Sequence, residues 1–599
     1  MSAYSNPLFP FFQGVQLIRP GVYYADNVNA VAPTPSTGVP PLIFIGFGNG
    51  PKPLTPIQFS SLTEGQQVLR GGQAATYLPF MYNPGSGLNG AQTITYIEAG
   101  QNVQSTFTYV TSGGTPVITA TSNVYGNSAN LLQTSVSAGN IGGIDLTLLD
   151  GYTNQSASAN NLGVPFQLAY LGTATGVTFS VVETNGVVTE FVVTSPNKGE
   201  SFTIPISNTT YQTVSQIISY LNGTGYYNAT LVTNGNLPAT SLDVVANVPL
   251  ATGAPGAYVY TNVTATLGDP VWWINNISGL ATATIVSGVT SSPTLVPEDI
   301  PLSPFTGGQS VPPTTQDYAN ALNAAENVSG WALFMDSNTP AVVMLGTQHA
   351  ELMSTIQERK YRRFFSGSSV GDSLEVASQM ALAMNSISAS YAFPGITVIS
   401  TTTGLPTTYG GLAAAAAAAG FVCGNIVAQP LTNKALNAIG VEQTLNTAQT
   451  LQAQSSGLLV VEQSKTTGLV TFINDFTTWV EDDNVENVLN QQVACRYATA
   501  YYLIQALQPY IGQINAGQIS LQKIKNVIMT DLNDIVYTQQ NTSGWLSSWN
   551  PASLVLSFDG TTMTLSVTLQ VVFVGQNRFI TLYVTVQPLQ ATVTGASVA

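Results

Sequence analysis

The sequence predicts a multidomain protein of mixed α/β and α+β class, with a β-rich region inserted into its α/β core. Three observations carry this. Over 316–475, helices alternate with near-continuous apolar strands, the pattern of a mostly parallel sheet covered on both faces. Over 91–310, charge nearly vanishes, and short Thr/Val/Ile/Tyr runs alternate with Gly and Asn turns. Beyond 487, helical segments precede strands such as "SLVLSFDG" and "TMTLSVTLQVVFVG". With 599 residues the chain exceeds what a single core can fill.

The elements follow in order. Residues 1–30 are punctuated by Pro7, Pro10 and Pro20, and read as an N-terminal arm in which Val22, Tyr23 and Tyr24 favour extended structure. Leu42–Ile45 is a buried strand followed by Gly46, Gly48 and Gly50. A dinucleotide loop would start a helix there, aimed at the pyrophosphate. Pro51 and Pro53 stand in its place, so the stretch reads as a tight turn. Ser61-Leu62-Thr63-Glu64 fits a capping box, opening a helix that stops near Gly71-Gly72. In the β-rich region, 176–196 reads as strand, Asn-Gly turn, strand, and 213–223 as a helix. The Pro-rich stretch 291–315 reads as a return linker.

Past that linker, "YANALNAAENVSG" is a helix, and "WALFMD" and "AVVMLG" are strands. A helix over 373–387, a strand at 395–400, an Ala/Gly core helix over 411–428 and strands at 457–463 and 468–474 complete the α/β part. The predicted domains are an arm (1–30), a core (31–90 plus 311–485), one or two inserted β-rich domains (91–310) and a C-terminal α+β domain (486–599). A second arm starts near 577.

Composition narrows the chemistry. Charged residues make up 7% of the chain, so Ser, Thr, Asn, Gln and Gly must cover most of its surface. Such a surface tolerates large subunit contacts. The net charge of −15 argues against wrapping nucleic acid or coating an anionic membrane. Two cysteines, Cys423 and Cys495, make no disulfide framework, and their pairing is open. One histidine, His349, leaves no His-based metal site and only a weak triad with Asp336. No Gly-x-Ser-x-Gly elbow occurs. Glu481-Asp482-Asp483 reads as an acidic helix start rather than a cation loop. The N-terminus shows no signal peptide, and the expected site of synthesis and assembly is a cytoplasm. Four of the 14 basic residues sit together as Arg359, Lys360, Arg362 and Arg363, a concentration that suggests an interface. No catalytic, cofactor or metal constellation emerges.

What remains is the profile of an assembling subunit, and at several places the chain resembles the contractile tail sheath proteins of bacteriophages. "RPGVYYADN" (19–27) resembles the Pro-Gly-Val-Tyr that opens sheath proteins. "IFIGFGNGPKPLTPIQFSSLTEGQQVLRGG" (43–72) is similar to their strand, Gly-Pro turn and helix ending in a Gly pair. "ATSNVYGNSANLLQTSVSAGN" (120–140) resembles the start of their protruding domain. The segments 392–439 and 457–484 resemble their core and the lead into their C-terminal domain.

The resemblance implies a subtilisin-like α/β core without a catalytic triad, β-rich protruding domains, and a C-terminal α+β domain facing the tail tube. It implies self-assembly into stacked rings on a helical lattice around the tube, ending at baseplate and tail terminator proteins. Contraction would drive genome ejection. It also implies strand exchange between neighbours through the arms, here Val22, Tyr23 and Tyr24, and Phe579, Ile580, Leu582 and Val584. Charged contacts to a subunit or the tube would fall to Arg359, Lys360, Arg362 and Arg363, and to Lys523 and Lys525. No cofactor, direct nucleic-acid contact or membrane insertion is implied. The setting is the virion tail, assembled in the host bacterial cytoplasm. One departure is that the C-terminal domain offers few basic residues for an acidic tube. Two alternatives stay open: the sheath of a capsid-less injection particle, and a surface-layer or adhesive β-rich protein.

Overall fold

The computed structural model describes residues 11–12, 15–16 and 41–578, apart from 207–210, 254–256, 401–403, 483 and 514–516. These residues form two compact units, one of 41–82 and 92–346, the other of 83–91 and 347–578.

The first unit is built on three parallel strands, Ala332–Met335, Leu42–Gly46 and Ile94–Glu98, with Ile57–Phe59 antiparallel at one edge. Every residue of the three parallel strands is buried. That burial on both faces explains why they read as continuous apolar runs rather than as alternating ones. The predicted capping box forms in half: the cap bond is made, but the Glu64 carboxylate reaches the residue before the cap. Ser61 Oγ accepts from Glu64 N at 3.2 Å, and Glu64 Oε2 accepts from Ser60 N at 2.9 Å. The helix Leu62–Leu69 ends on Arg70 in the left-handed region, one residue before the glycine pair, and a second helix, Gln73–Tyr82, follows at once. Arg70 makes a bidentate pair with Asp150 at 2.9 and 2.5 Å, tying this helix to the inserted strand Ile144–Asp150. Both side chains are largely buried. Arg70→Ala would therefore leave a carboxylate unpaired, and the expected cost is about 3 kcal/mol, read as a lower urea midpoint.

The inserted region holds two β modules with separate cores. The outer one, from residues 104–162 and 267–305, packs Tyr109, Val117, Leu146, Leu148, Trp273 and Phe305 among others. The inner one spans 166–265 and packs Phe166, Leu168, Phe179, Phe191, Ile217 and Tyr227. The predicted hairpin is Thr178–Thr184 against Val187–Thr194. Its turn residues Asn185 and Gly186 both take positive φ (55° and 78°), as a type I′ turn demands. The predicted helix is Val214–Gly223, capped by Thr213 and Gln216. The supposed return linker is not all loop: Ile300–Pro304 pairs antiparallel with Leu132–Ala138.

The second unit holds four sheet strands in the order Val470–Phe472, Leu458–Gln463, Ala389–Phe393 and Arg363–Gly367. The last three are parallel, and Val470–Phe472 is an antiparallel edge. The helix Gly411–Gly424 is buried at every position and packs on Arg363–Gly367 and Ala389–Phe393. Its small side chains allow that approach: a Cβ on Gly367 would stand 2.5 Å from Leu412 N. Ile396–Ile399 belongs to a separate antiparallel sheet with Pro406–Tyr409 and Gly440–Val441. The C-terminal part has helices Asn490–Leu507 and Gln518–Asn533, then a two-stranded ribbon, Leu546–Asp559 against Thr564–Phe573.

One expected strand is a helix. "AVVMLG" lies in the helix Pro340–Met353. Its valines favour a strand, but Pro340 opens a helical turn and "TQHAELM" continues it without a breaker. Among the described residues no helix is long and apolar enough to cross a membrane. Among them too, no group of three His, Cys, Asp or Glu could hold a metal ion. Cys423 and Cys495 are both buried and free.

Candidate assembly interface

The glycine turn after Leu42–Gly46 is a cradle of backbone N–H donors filled by two of the protein's own carboxyl groups. Asp336 Oδ2 accepts from Phe47 N at 2.8 Å, and its Oδ1 accepts from Tyr318 OH at 2.6 Å. Glu98 Oε2 accepts from Gly48 N and Tyr96 OH, both at 2.8 Å, and its Oε1 accepts from Gly100 N at 2.7 Å. The glycines are needed for room. A Cβ on Gly46 would stand 2.7 Å from Asp336 Oδ2, and one on Gly48 would stand 3.1 Å from Glu98 Oε2. Both carboxylates are fully buried and satisfied from within, so they serve the fold and are closed to a substrate. Sequence reading missed Glu98 because nothing local distinguishes it from any acidic strand end.

Burial pushes Glu98 up to about 8 and Asp336 up to about 6, and the two negative groups reinforce the effect at Glu98. In the folded protein both bind protons more readily than in the unfolded chain. Their contribution is thus fully present below the ordinary carboxylate range and is lost as pH climbs through 6 and then 8. Asp475 in the second unit, raised to about 7 by burial, acts in the same direction. The melting temperature is expected to fall between pH 5 and pH 9. Glu98→Gln should flatten the part of that fall near pH 8; an unchanged slope would remove Glu98 as its source.

His349 is buried, and its Nε2 accepts from Arg362 Nη1 at 2.6 Å. Burial, with Arg362 and Lys360 nearby, drives it down to about 3, so it stays neutral with that lone pair engaged. Asp336 is committed to Phe47 and Tyr318.

The basic run divides. Arg362 and Arg363 are 0% and 3% exposed and belong to the monomer's interior. Arg363 lies 5.9 Å from the Phe365 ring centroid, and burial holds it below the usual arginine range. Arg359 and Lys360 are half-buried at the surface, and Lys360 pairs with Glu358 at 3.5 Å. Lys523 is exposed, 5.5 Å from the Tyr510 ring centroid, while Lys525 is half-buried on the same helix.

The C-terminal ribbon offers the most conspicuous pairing surface. Among the described residues it has two strands and no third. Val555, Val572 and Met563 are 57%, 45% and 73% exposed on it or at its turn. Just beyond it the backbone is fastened: Gln491 and Gln492 Nε2 both donate to Val574 O at 3.1 Å. Arg578 sits 5.0 Å from the Phe476 ring centroid. The arm residues Val22, Tyr23, Tyr24, Phe579, Ile580, Leu582 and Val584 lie outside the described residues.

No family model matches the chain. A tail sheath protein of Bacillus phage SP01 is 25% identical over 494 residues, 79% of this chain and 80% of that protein. The chain is similar to phage tail sheath proteins over most of its length. A putative tail sheath protein of Enterococcus phage phiEF24C is 22% identical over 93% of this chain and 95% of its own length. The crystal structure of a sheath tail protein from Listeria innocua shares the fold, with a TM-score of 0.54, 12% identity, and coverage of 90% of this chain and 95% of that one. The mixed α/β multidomain architecture is thus that of sheath tail proteins.

Proposed function

We propose that this protein is the structural subunit of a contractile phage tail sheath, polymerising around the tail tube and shortening to drive it through the host envelope. The observation that carries the reading is similarity to phage tail sheath proteins along 79% and 93% of the chain. In this account the α/β core, 31–90 plus 311–485, is a subtilisin-like scaffold without catalytic function. The 91–310 modules project from it, and 486–599 meets the tube. Baseplate and terminator proteins cap the polymer, which is assembled in the host cytoplasm and carried on the virion tail.

The linkage is strand addition. An arm that lies along a sheet edge binds through main-chain hydrogen bonds, so it needs β-prone residues and no fixed side-chain code. The ribbon Leu546–Asp559/Thr564–Phe573 has two edges to offer, and the arms supply Val22–Tyr24 and Phe579–Val584. Arg359, Lys360, Lys523 and Lys525 are the surface cations that would reach a neighbour or the tube. Arg362 and Arg363 would act only by shaping the strand beneath. Larger faces re-pack between two lattices while the strands keep subunits joined, and bistable contacts store the energy. Electron microscopy of assembled polymers exposed to mild urea should show two populations, one longer and narrower, one shorter and wider. Polymers that dissolve without ever changing pitch would remove contraction from the account.

A further inference from the structure

We propose that the two inserted β modules are locked into one rigid body by a reciprocal pair of buried aspartates, Asp243 and Asp269. The backbone passes between the modules only near Gly163, on the way into the inner one, and near Thr266, on the way out. Gly163 takes a φ of 97°, a conformation that glycine adopts freely. Two short crossings, one of them at a glycine, are what a hinge needs. Motion between modules so connected is the ordinary expectation.

Each module instead sends one carboxyl group into the joint. Asp269, on the outer module's helix Gly268–Trp273, accepts from Thr233 Oγ1 at 2.7 Å and Asn234 Nδ2 at 2.6 Å, both of the inner module. It also accepts from Gly163 N at 2.9 Å, in the first crossing. Asp243 of the inner module accepts from Ser291 Oγ of the outer one. It also accepts from Thr266 N at 3.0 Å and Thr266 Oγ1 at 2.6 Å, in the second crossing. Each aspartate thus holds the far module and one crossing at once. Asp269 and Asp243 are 0% and 1% exposed. Asn262 Nδ2 adds a third tie, donating to Ile141 O at 2.6 Å.

Apolar packing works with this lock but does not replace it. Trp272 packs against the inner core while its neighbour Trp273 lies in the outer one, so the short helix is anchored in both. A cleft of about 90 Å³ nevertheless remains at the joint, lined by Ile144 and Leu162 of the outer module and by Asn262 and Thr264 among others. The joint is therefore not closed by packing alone, and its stiffness falls to the hydrogen bonds. Swinging the modules apart would strip each buried carboxyl group of its three bonds. A buried polar group without partners is costly, so the open arrangement is disfavoured at both aspartates together. The inference concerns how the insertion moves and does not rest on the sheath reading.

Electron–electron double resonance on the full chain tests it. Nitroxides are attached at Ser112→Cys in the outer module and Glu183→Cys in the inner hairpin, both exposed positions. Cys423 and Cys495 are buried and stay unlabelled. Labelled chain is diluted in unlabelled chain, so that only distances within one molecule are read. A single narrow distance distribution is expected. Asp243→Ala/Asp269→Ala should broaden it about two-fold or more. If that double variant misfolds, hydrogen exchange on the unaltered chain carries the test. The Gly163 and Thr266 amides, which donate to the two carboxyl groups, should then exchange as slowly as the module cores. A broad or two-peaked distribution with both aspartates present, an unchanged width without them, or fast exchange at both amides would each overturn the proposal.

Discussion

A chain lacking residues 1–27 is expected to remain a folded monomer and to build no polymer. The deleted segment includes Val22, Tyr23 and Tyr24 and stops short of Leu42, the first residue of the buried strands. Its loss removes the short Phe11–Phe12/Val15–Gln16 pair and none of the buried core strands. What it removes, on the account proposed above, is a strand donated to a neighbour. Each main-chain bond in such a strand is worth roughly 0.5–1.5 kcal/mol net, so a short strand supplies several kcal/mol per subunit contact. In a lattice every subunit repeats that loss, and growth should stop rather than slow. Circular dichroism and melting should match the full chain, while sedimentation velocity should show monomer only. Tubes built by the truncated chain would mean that the linkage lies elsewhere, and attention would shift to the C-terminal arm beyond Arg578.

The second large effect falls inside the monomer. Gly46→Val is expected to destabilise the first unit by about 3 kcal/mol or more. The new side chain would need the space held by Asp336 Oδ2, 2.7 Å away, and Asp336 Cγ, 2.8 Å away, with the Ala74 Cβ at 3.1 Å blocking retreat. Moving Asp336 breaks its bonds from Phe47 N and Tyr318 OH and leaves a carboxylate buried without donors. Urea titration followed by tryptophan fluorescence measures this. A shift equivalent to under about 1 kcal/mol would show that the turn yields more easily than its packing suggests.

Much of the fold was legible in the sequence because it was locally encoded. The Asn185-Gly186 turn, the capped helices at Ser61 and Thr213, and the Ala/Gly helix each carry their signal within a few residues. Where the signal was distributed, reading failed. Arg363–Gly367 is a fully buried strand whose leading arginines mimic a solvated charge run. Ala389–Phe393 hides behind small and polar letters, because the Gly411–Gly424 helix lies close upon it. The carboxylate cradle was invisible for a plainer reason. Glu98 reaches Gly48 across 50 residues of sequence, and Asp336 reaches Phe47 across 289. Spacing rules describe neighbours in a helix or hairpin and say nothing of such pairs. The glycines themselves were noticed, and the prolines after them rightly excluded a nucleotide. Only the structure shows which side chains they receive.

The basic run teaches the same lesson for the candidate interface. Four cations in five residues suggested one patch, but the chain turns inward at Tyr361, two residues before the buried strand Arg363–Gly367 begins. Exposure follows that turn, not the charge, and leaves Arg359 and Lys360 as the pair that a neighbour could meet.

The most direct measurement is negative-stain electron microscopy of the purified full chain as its concentration is raised. The account predicts hollow tubes of constant diameter built from stacked rings. Monodisperse particles at every concentration and salt condition would contradict it.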